Sequence, residues 1–439
     1  MKSLKISKDS LITEPYWSLE TPKFSNKLED FSDSLDLLII GAGYTGLSAA
    51  LAAEGIGAKV GLVDAHEAGS GASTRNGGMV GAHPKLSWKV LERKFGQSTA
   101  DGVFEEASWA LSFLKKLIQN EKIECDFEEC GRIQLAWSKN DFERQKQLAC
   151  IIKKKSDVKV KIVCRNELRN EIVTERYFGG LLFPEHCSID PAKFHLGLLK
   201  AVLRRKIPLI ENCPVHAVKR NTKGFKVYFQ NKEIFVKRVL MATNGYTLND
   251  FPWFKKRVFP LPSYIVATED IAPEILEKIA PGRRMMVETR AKHAYFRISP
   301  NGRKIIFGGR AAMTALPLDI AAGRLKTLLD DIWPDIRDFQ ITHCWTGNTG
   351  FAFNQVPHIG INNGIHYAIG FSGSGTVLAP YLGAKAALSA LNHSSGKTAY
   401  SKTFLRKSVV HFLNKPYFLN LSDLYYRFIV DPLQFRQKK

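Results

Sequence analysis

DLLIIGAGYTGLSAALAAEGIGAKVGLVD, residues 36–64, reads as a strand, a glycine turn, a helix and a second strand that ends on an acid. Leu37 to Ile40 are apolar without interruption, as in a strand buried on both faces. The run Leu47 to Ala53 is made of good helix formers, and Lys59 to Val63 returns to strand composition. Gly41, Gly43 and Gly46 then stand at the spacing of a dinucleotide-binding turn. Gly41 permits the tight turn, Gly43 lets a pyrophosphate approach the backbone, and Gly46 lets helix and strand pack closely. Ala42, Tyr44 and Thr45 complete the loop, whose N–H groups and positive helix end suit phosphate. Asp64 follows Gly46 by 18 residues, with Ala65 beside it, and its carboxylate suits the hydroxyls of an adenosine ribose. This unit predicts a dinucleotide site without choosing between NAD and FAD.

The choice comes from GSGASTRNGGM, residues 69–79. A loop this rich in small residues lies flat against a long cofactor, a need that a simple NAD domain lacks. Ala72-Ser73-Thr74-Arg75-Asn76-Gly77-Gly78 resembles the ASxRNGG stretch of the D-amino-acid-oxidase superfamily of flavoproteins, which includes sarcosine, glycine and γ-glutamylputrescine oxidases. The likeness looks closest to the γ-glutamylputrescine oxidoreductase branch. Further pieces occur in the family's order: Asn212-Cys213-Pro214-Val215, Ala242-Thr243-Asn244-Gly245-Tyr246, Phe307-Gly308-Gly309-Arg310, Trp345-Thr346-Gly347, Pro357-His358-Ile359-Gly360, and Gly370-Phe371-Ser372-Gly373-Ser374-Gly375 with Thr376 after it. The resemblance implies FAD contacts from Gly71, Ala72, Ser73, Arg75, Asn76, Gly77, Gly78, Met79, Val215, Ala242 to Gly245, Trp345, Gly347, Gly370 and Ser372 to Thr376. The last segment opens a helix, whose dipole would face the pyrimidine edge of the flavin. Two departures stand out. The branch carries an aspartate and an arginine where this chain has Phe351 to Gln355, and many relatives have a histidine at Ser374.

A chain of 439 residues suits two interleaved domains. The glycine-rich pieces are separated along it, which predicts an α/β fold: a Rossmann-like FAD-binding domain of discontinuous segments, plus an α+β substrate domain with an antiparallel sheet. The expected segments are an arm at 1–35, FAD-binding parts at 36–90, 186–250 and 341–392, substrate parts at 91–185 and 251–340, and a basic, aromatic tail at 393–439. Residues 207–241 read as a strand followed by a small antiparallel meander. The tail suits packing on the protein's own body better than a membrane surface.

Lys and Arg exceed Asp and Glu by 21, but the basic residues are dispersed and no nucleic-acid module accompanies them, so a solvated basic surface is expected. A polar N-terminus without an apolar core and seven scattered cysteines suit a reducing cytoplasm. Cys125 and Cys130 lack the second dinucleotide motif of disulfide reductases and read as structural; no metal spacing occurs.

The resemblance implies oxidation of a C–N bond in a small amine or amino acid, with hydride passing to flavin N5 and the imine then hydrolysed. A γ-glutamylated polyamine is the first substrate expected; sarcosine, glycine or a D-amino acid is the alternative, with oxygen, a quinone or an electron carrier as acceptor. Arg75, His83 and Lys292 are the catalytic candidates, with Lys85 and His293 beside the last two; Tyr264, Tyr295 and Trp345 are candidates for the substrate wall. Each has a plainer reading: a loop bridge for Arg75, a surface turn for His83 and Lys292, core for the aromatics. A flavin monooxygenase would carry a Gly-Asp dipeptide, which the chain lacks. A non-catalytic flavin scaffold is the remaining alternative.

Overall fold

The protein is described by a computed structural model at residues 11–18, 31, 35–81, 83–229, 232–291, 294–407 and 418–430. The strand Leu37–Ile40 lies inside a six-stranded sheet, ordered His358–Asn362, Ile365–Ile369, Val239–Met241, Leu37–Ile40, Val60–Val63, Leu209–Ile210. All neighbours are parallel except the first pair. Its strands come from the beginning, the middle and the end of the chain, so the sheet closes only when distant segments meet. The helices Tyr44–Glu54 and Gly375–Ala390 pack on it and against each other, and both are alanine-rich and buried along most of their length.

An eight-stranded sheet stands beside it, ordered Ile341–Ala352, Val258–Thr268, Ile305–Gly309, Ala294–Ile298, Met285–Glu288, Arg132–Leu135, Gly179–Phe183, Lys161–Cys164. It is antiparallel but for the pair Met285–Glu288 and Arg132–Leu135. Side chains alternate between its faces, so register decides what each residue meets. One row runs Gln134, Val287, Tyr295, Gly308, Ile265, Trp345 across six strands. The neighbouring row, Ile133, Met286, Phe296, Phe307, Val266, Cys344, points the other way into an apolar core closed by the helix Leu318–Ile332.

Three strands, Ala217–Arg220, Phe225–Tyr228 and Glu233–Val236, form the expected antiparallel meander. In the N-terminal segment, Trp17 is buried against Trp345, with their rings edge to face at 6.2 Å. The helix Phe418–Tyr425 packs Phe418 on Phe259, and Asp423 accepts a hydrogen bond from Met313 N. Its outer side leaves Leu421, Leu424 and Tyr425 exposed. Among the described residues no helix is long and apolar enough to cross a membrane.

Candidate active site

The glycine turn opens a cleft of about 190 Å³ between the two sheets. Gly41, Gly43, Tyr44 and Thr45 line its centre, Asp64, Ala65 and Val215 one end, and Gly373, Gly375 and Thr376 the other. Asp64 is held in place: Oδ2 accepts from Ala42 N at 2.7 Å and Oδ1 from His66 N at 3.0 Å, while burial raises its pKa. Ser73 Oγ accepts from Tyr44 N at 3.0 Å, and a Cβ on Gly43 would lie 2.9 Å from that oxygen. The glycine turn and the residue 69–79 loop are therefore built against each other. Asn76 ties the loop internally, donating to the carbonyls of Ala72 and Ser73 and accepting from Gly78 N. An acid at one end, the N–H groups of one helix start at the centre and a second helix start at the far end suit a flavin dinucleotide.

A second cavity of about 430 Å³ adjoins this cleft. Ala72, Asn76, Thr349, Gly373 and Thr376 line both, and so form their common wall. The floor is the sheet face identified by register: Gln134, Val287, Tyr295, Ser263, Leu261, Gly347, Thr349 and Phe351 all share it. Tyr295 lies across the middle. A Cβ on Gly308 would meet its ring at 2.3 Å and one on Gly77 at 2.9 Å, and its hydroxyl shares a hydrogen bond with Ser263 Oγ at 3.0 Å. Burial pushes its pKa up to about 12, so it stays protonated.

The cavity is rich in cations. Lys85 Nζ donates to Ser372 O at 3.2 Å and sits 4.6 Å from the Phe351 ring centre, with the Arg310 guanidinium 5.0 Å from the same ring. Burial, then the charge of Arg310, lowers the Lys85 pKa to about 8. Lys85 keeps exposed surface and lines the cavity. Arg132 meets His83, at 2.6 Å from Nδ1, and burial lowers its pKa to about 9. Burial, then Arg132, holds His83 well below the usual histidine range, so it is neutral. Glu288 and Arg290 form a buried ion pair at the rim, with Tyr177 donating to Glu288 at 2.6 Å.

The sequence candidates divide by position. His83, Arg75 and Tyr295 line the cavity. Arg75 also donates Nε to Ser70 O at 3.1 Å and Nη1 to Thr346 O at 3.5 Å, which makes it a loop bridge. Tyr264 is placed outside the cavity, because it lies one residue out of phase: it points into the opposite core, its hydroxyl accepting from Leu316 N. Trp345 shares the cavity face but is covered by Trp17, and its Nε1 donates to Arg75 O at 3.0 Å, so it braces the loop from below. Cys344, next to Trp345, faces the opposite core. Lys292 and His293 lie outside the described residues.

Among the expected cofactor residues, Met79, Gly77, Gly347, Ser372 and Ser374 line the cavity, while Gly71, Ala72, Ser73, Asn76, Ala242, Thr243 and Asn244 line the cleft. Ala42, Gly46, Gly78, Gly245 and Gly370 line neither and act as supports; the Gly370 N–H, for example, is accepted by Asn244 Oδ1 at 2.9 Å. Arg132 and Gln134 went unread because their strand carries no motif. The alternation Arg132, Ile133, Gln134, Leu135 was the available signal, a polar face that turns to a cavity rather than to solvent.

Residues 36–388 match the family described as FAD dependent oxidoreductase (DAO). The chain is 32% identical over 372 residues to "Probable oxidoreductase OrdL" of Rhizobium meliloti, covering 83% of this chain and 85% of that one. It is 25% identical over 373 residues to the γ-glutamylputrescine oxidoreductase of Escherichia coli, with the same coverages of 83% and 85%. The fold is similar to glycine oxidase from Geobacillus kaustophilus, with a TM-score of 0.71 at 16% identity over 86% of this chain and 100% of that one. It is also similar to L-proline dehydrogenase from P. horikoshii, with a TM-score of 0.68 at 19% identity over 90% and 100%. The match over residues 36–388, with a relative 32% identical over most of both chains, places this protein in the DAO family of FAD-dependent oxidoreductases.

Proposed function

We propose that the protein oxidises the C–N bond of a small amine or amino acid, with a γ-glutamylated polyamine as the first substrate to test. The observation that supports this most is the common wall: a ligand in the cation-lined cavity meets the cofactor cleft at Ala72, Asn76, Thr349, Gly373 and Thr376. FAD bound in the cleft supplies a two-electron hydride acceptor. The substrate leaves as an imine, which water converts to a carbonyl compound. Tyr295 and Phe351 give the reacting end an aromatic wall. Lys85 exchanges its proton near neutral pH and stands against the start of the helix Gly375–Ala390, a place suited to balancing negative charge. Arg75 shapes the loop, and His83 orients Arg132.

The test is an anaerobic titration of the yellow holoprotein with γ-glutamylputrescine, putrescine, sarcosine, glycine and D-amino acids. The flavin band at roughly 450 nm is followed. Bleaching by one of them supports the reading, and its rate of return in air separates oxygen from a quinone or carrier as acceptor. A flavin that none of them bleaches overturns amine oxidation and leaves a flavin-binding scaffold.

A further inference from the structure

The inward-facing arginines of this protein mostly have their partners supplied by the fold. Arg290 is paired with Glu288, Arg176 with Asp331 and Arg284 with Glu171, while Arg297 donates to the carbonyls of Gly78, Ile189 and Ile298. Arg132 has no such acid among the described residues. Its hydrogen bonds run to the His83 ring, its guanidinium lies 4.9 Å from the Phe183 ring centre, and its Nε is buried without a partner. The imidazole against it is neutral, and so is His186, whose ring is 5.9 Å away from that of His83 and whose pKa burial and Arg132 depress. Neither histidine therefore offsets the charge. An uncompensated guanidinium in a low-dielectric setting is costly, and structures that retain one supply an anion to it.

The surroundings point to where that anion comes from. Arg132 and Gln134 project from the same face of one strand into the cavity. Gln134 Oε1 is buried without a hydrogen-bond partner, and so is His186 Nδ1, which a Cβ on Gly81 would crowd at 2.5 Å. Arg132 Nε is thus a donor left without an acceptor, whereas buried polar atoms are satisfied almost everywhere in folded proteins. This cluster stands on the Arg132–Leu135 strand. Gly347 and Thr349, near the cofactor cleft, stand on Ile341–Ala352, and four strands separate the two.

We propose that Arg132, oriented by His83, binds a carboxylate at the end of the substrate remote from the oxidised C–N bond. The proposal rests on the amine-oxidation reading and narrows it. Substrates with an anionic far end are selected, among them a γ-glutamyl amine, and simple diamines are refused. Arg132 donates to the carboxylate through its free N–H groups, with Gln134 beside it on the cavity face.

Two probes test it on the holoprotein, one reactive and one inert. 5-Aminopentanoate is compared with its amide in the amine assay, and glutarate with glutaramide by calorimetry. The acid of each pair is expected to exceed its amide by roughly 10- to 100-fold, in kcat/KM through KM and in affinity. R132M is expected to abolish both ratios and R132K to restore part of them. Ligand-free R132M, relieved of a buried charge, is expected to melt no lower than the parent, and glutarate to raise the melting temperature of the parent alone. Equal handling of acid and amide by the parent, or ratios that survive in R132M, would overturn the proposal, as would a ligand-free R132M that melts several degrees lower. If no amine is oxidised while glutarate is still preferred in an Arg132-dependent way, the reaction assignment fails and the subsite stands.

Discussion

Gly46→Ala isolates the geometry on which the cofactor cleft depends. A Cβ on Gly46 would lie 1.8 Å from the carbonyl oxygen of Gly41, where ordinary contact needs about 3.4 Å, so something must move by about 1.6 Å. Neither side has that freedom. Gly41 N donates to Val63 O at 2.8 Å, and Leu47 N to Gly43 O at 3.0 Å. Behind the helix, Gly383 approaches so closely that its own Cβ would meet Thr45 O at 2.2 Å. The cost therefore falls at the top of the range for an overpacked core, about 3 kcal/mol. In a protein of this size that lowers Tm by roughly 3 °C. The displaced atoms belong to the turn itself, so FAD content should fall with Tm. Gly57→Ala is the control. Unlike the helical Gly46 it has a positive φ, +80°, and nothing lies within 4 Å of its Cβ, so it carries backbone strain and no clash. Differential scanning fluorimetry and the flavin-to-protein absorbance ratio give both readouts. A G46A protein with full flavin and a Tm within about 1 °C of the parent would refute the steric reasoning.

Three further perturbations follow. Asp64→Asn replaces a charged acceptor by a neutral one and should raise the FAD dissociation constant by roughly 5- to 30-fold in a fluorescence titration; a change under twofold counts against its ribose role. Because the Lys85 pKa is lowered to about 8, anion affinity in the cavity should weaken as pH rises through about 8, and K85M should flatten that limb. The same shift costs stability below pH 8 and relieves it as pH rises toward 10.5, so K85M should exceed the parent in Tm at pH 7 and converge with it at high pH. Glu288→Gln weakens an acceptor used by Tyr177, Arg290 and Ala294 N, and should cost about 3 kcal/mol by chemical denaturation; a loss below roughly 1 kcal/mol would show that the pair is not needed.

What was legible in the sequence was what depends on neighbours along the chain. The glycine turn, the acid at the end of the second strand and the loop at residues 69–79 each declare themselves through local sterics, and the fold follows from them. The substrate wall was legible only in part, because it depends on phase. Tyr295 and Tyr264 both sit in strands of apolar and aromatic residues, and nothing local says which face of the sheet each meets. Register decides: Tyr295 pairs with Gly308 on the cavity face, while Tyr264 pairs with Gly309 on the other. Trp345 has the right phase and still misses the cavity, since Trp17, more than three hundred residues earlier, covers it. Long-range packing of that kind leaves no trace in composition.

The excess of positive charge carries the same lesson at the scale of the molecule. Read as a count, +21 suggests a solvated basic surface. Much of it is that: Lys146 and Lys226, for instance, sit in exposed pairs worth little to stability. Where a cation is built into the frame, however, the fold supplies partners, as Glu288 does for Arg290, Glu171 for Arg284 and backbone carbonyls for Arg297. Arg132, Arg310 and Lys85 pair with no acid among the described residues, line the walls of one cavity, and have pKa values depressed by burial. On the proposed reading, the stability that burial of these charges costs the free protein is recovered when an anionic ligand arrives, so the same side chains that strain the fold set its specificity.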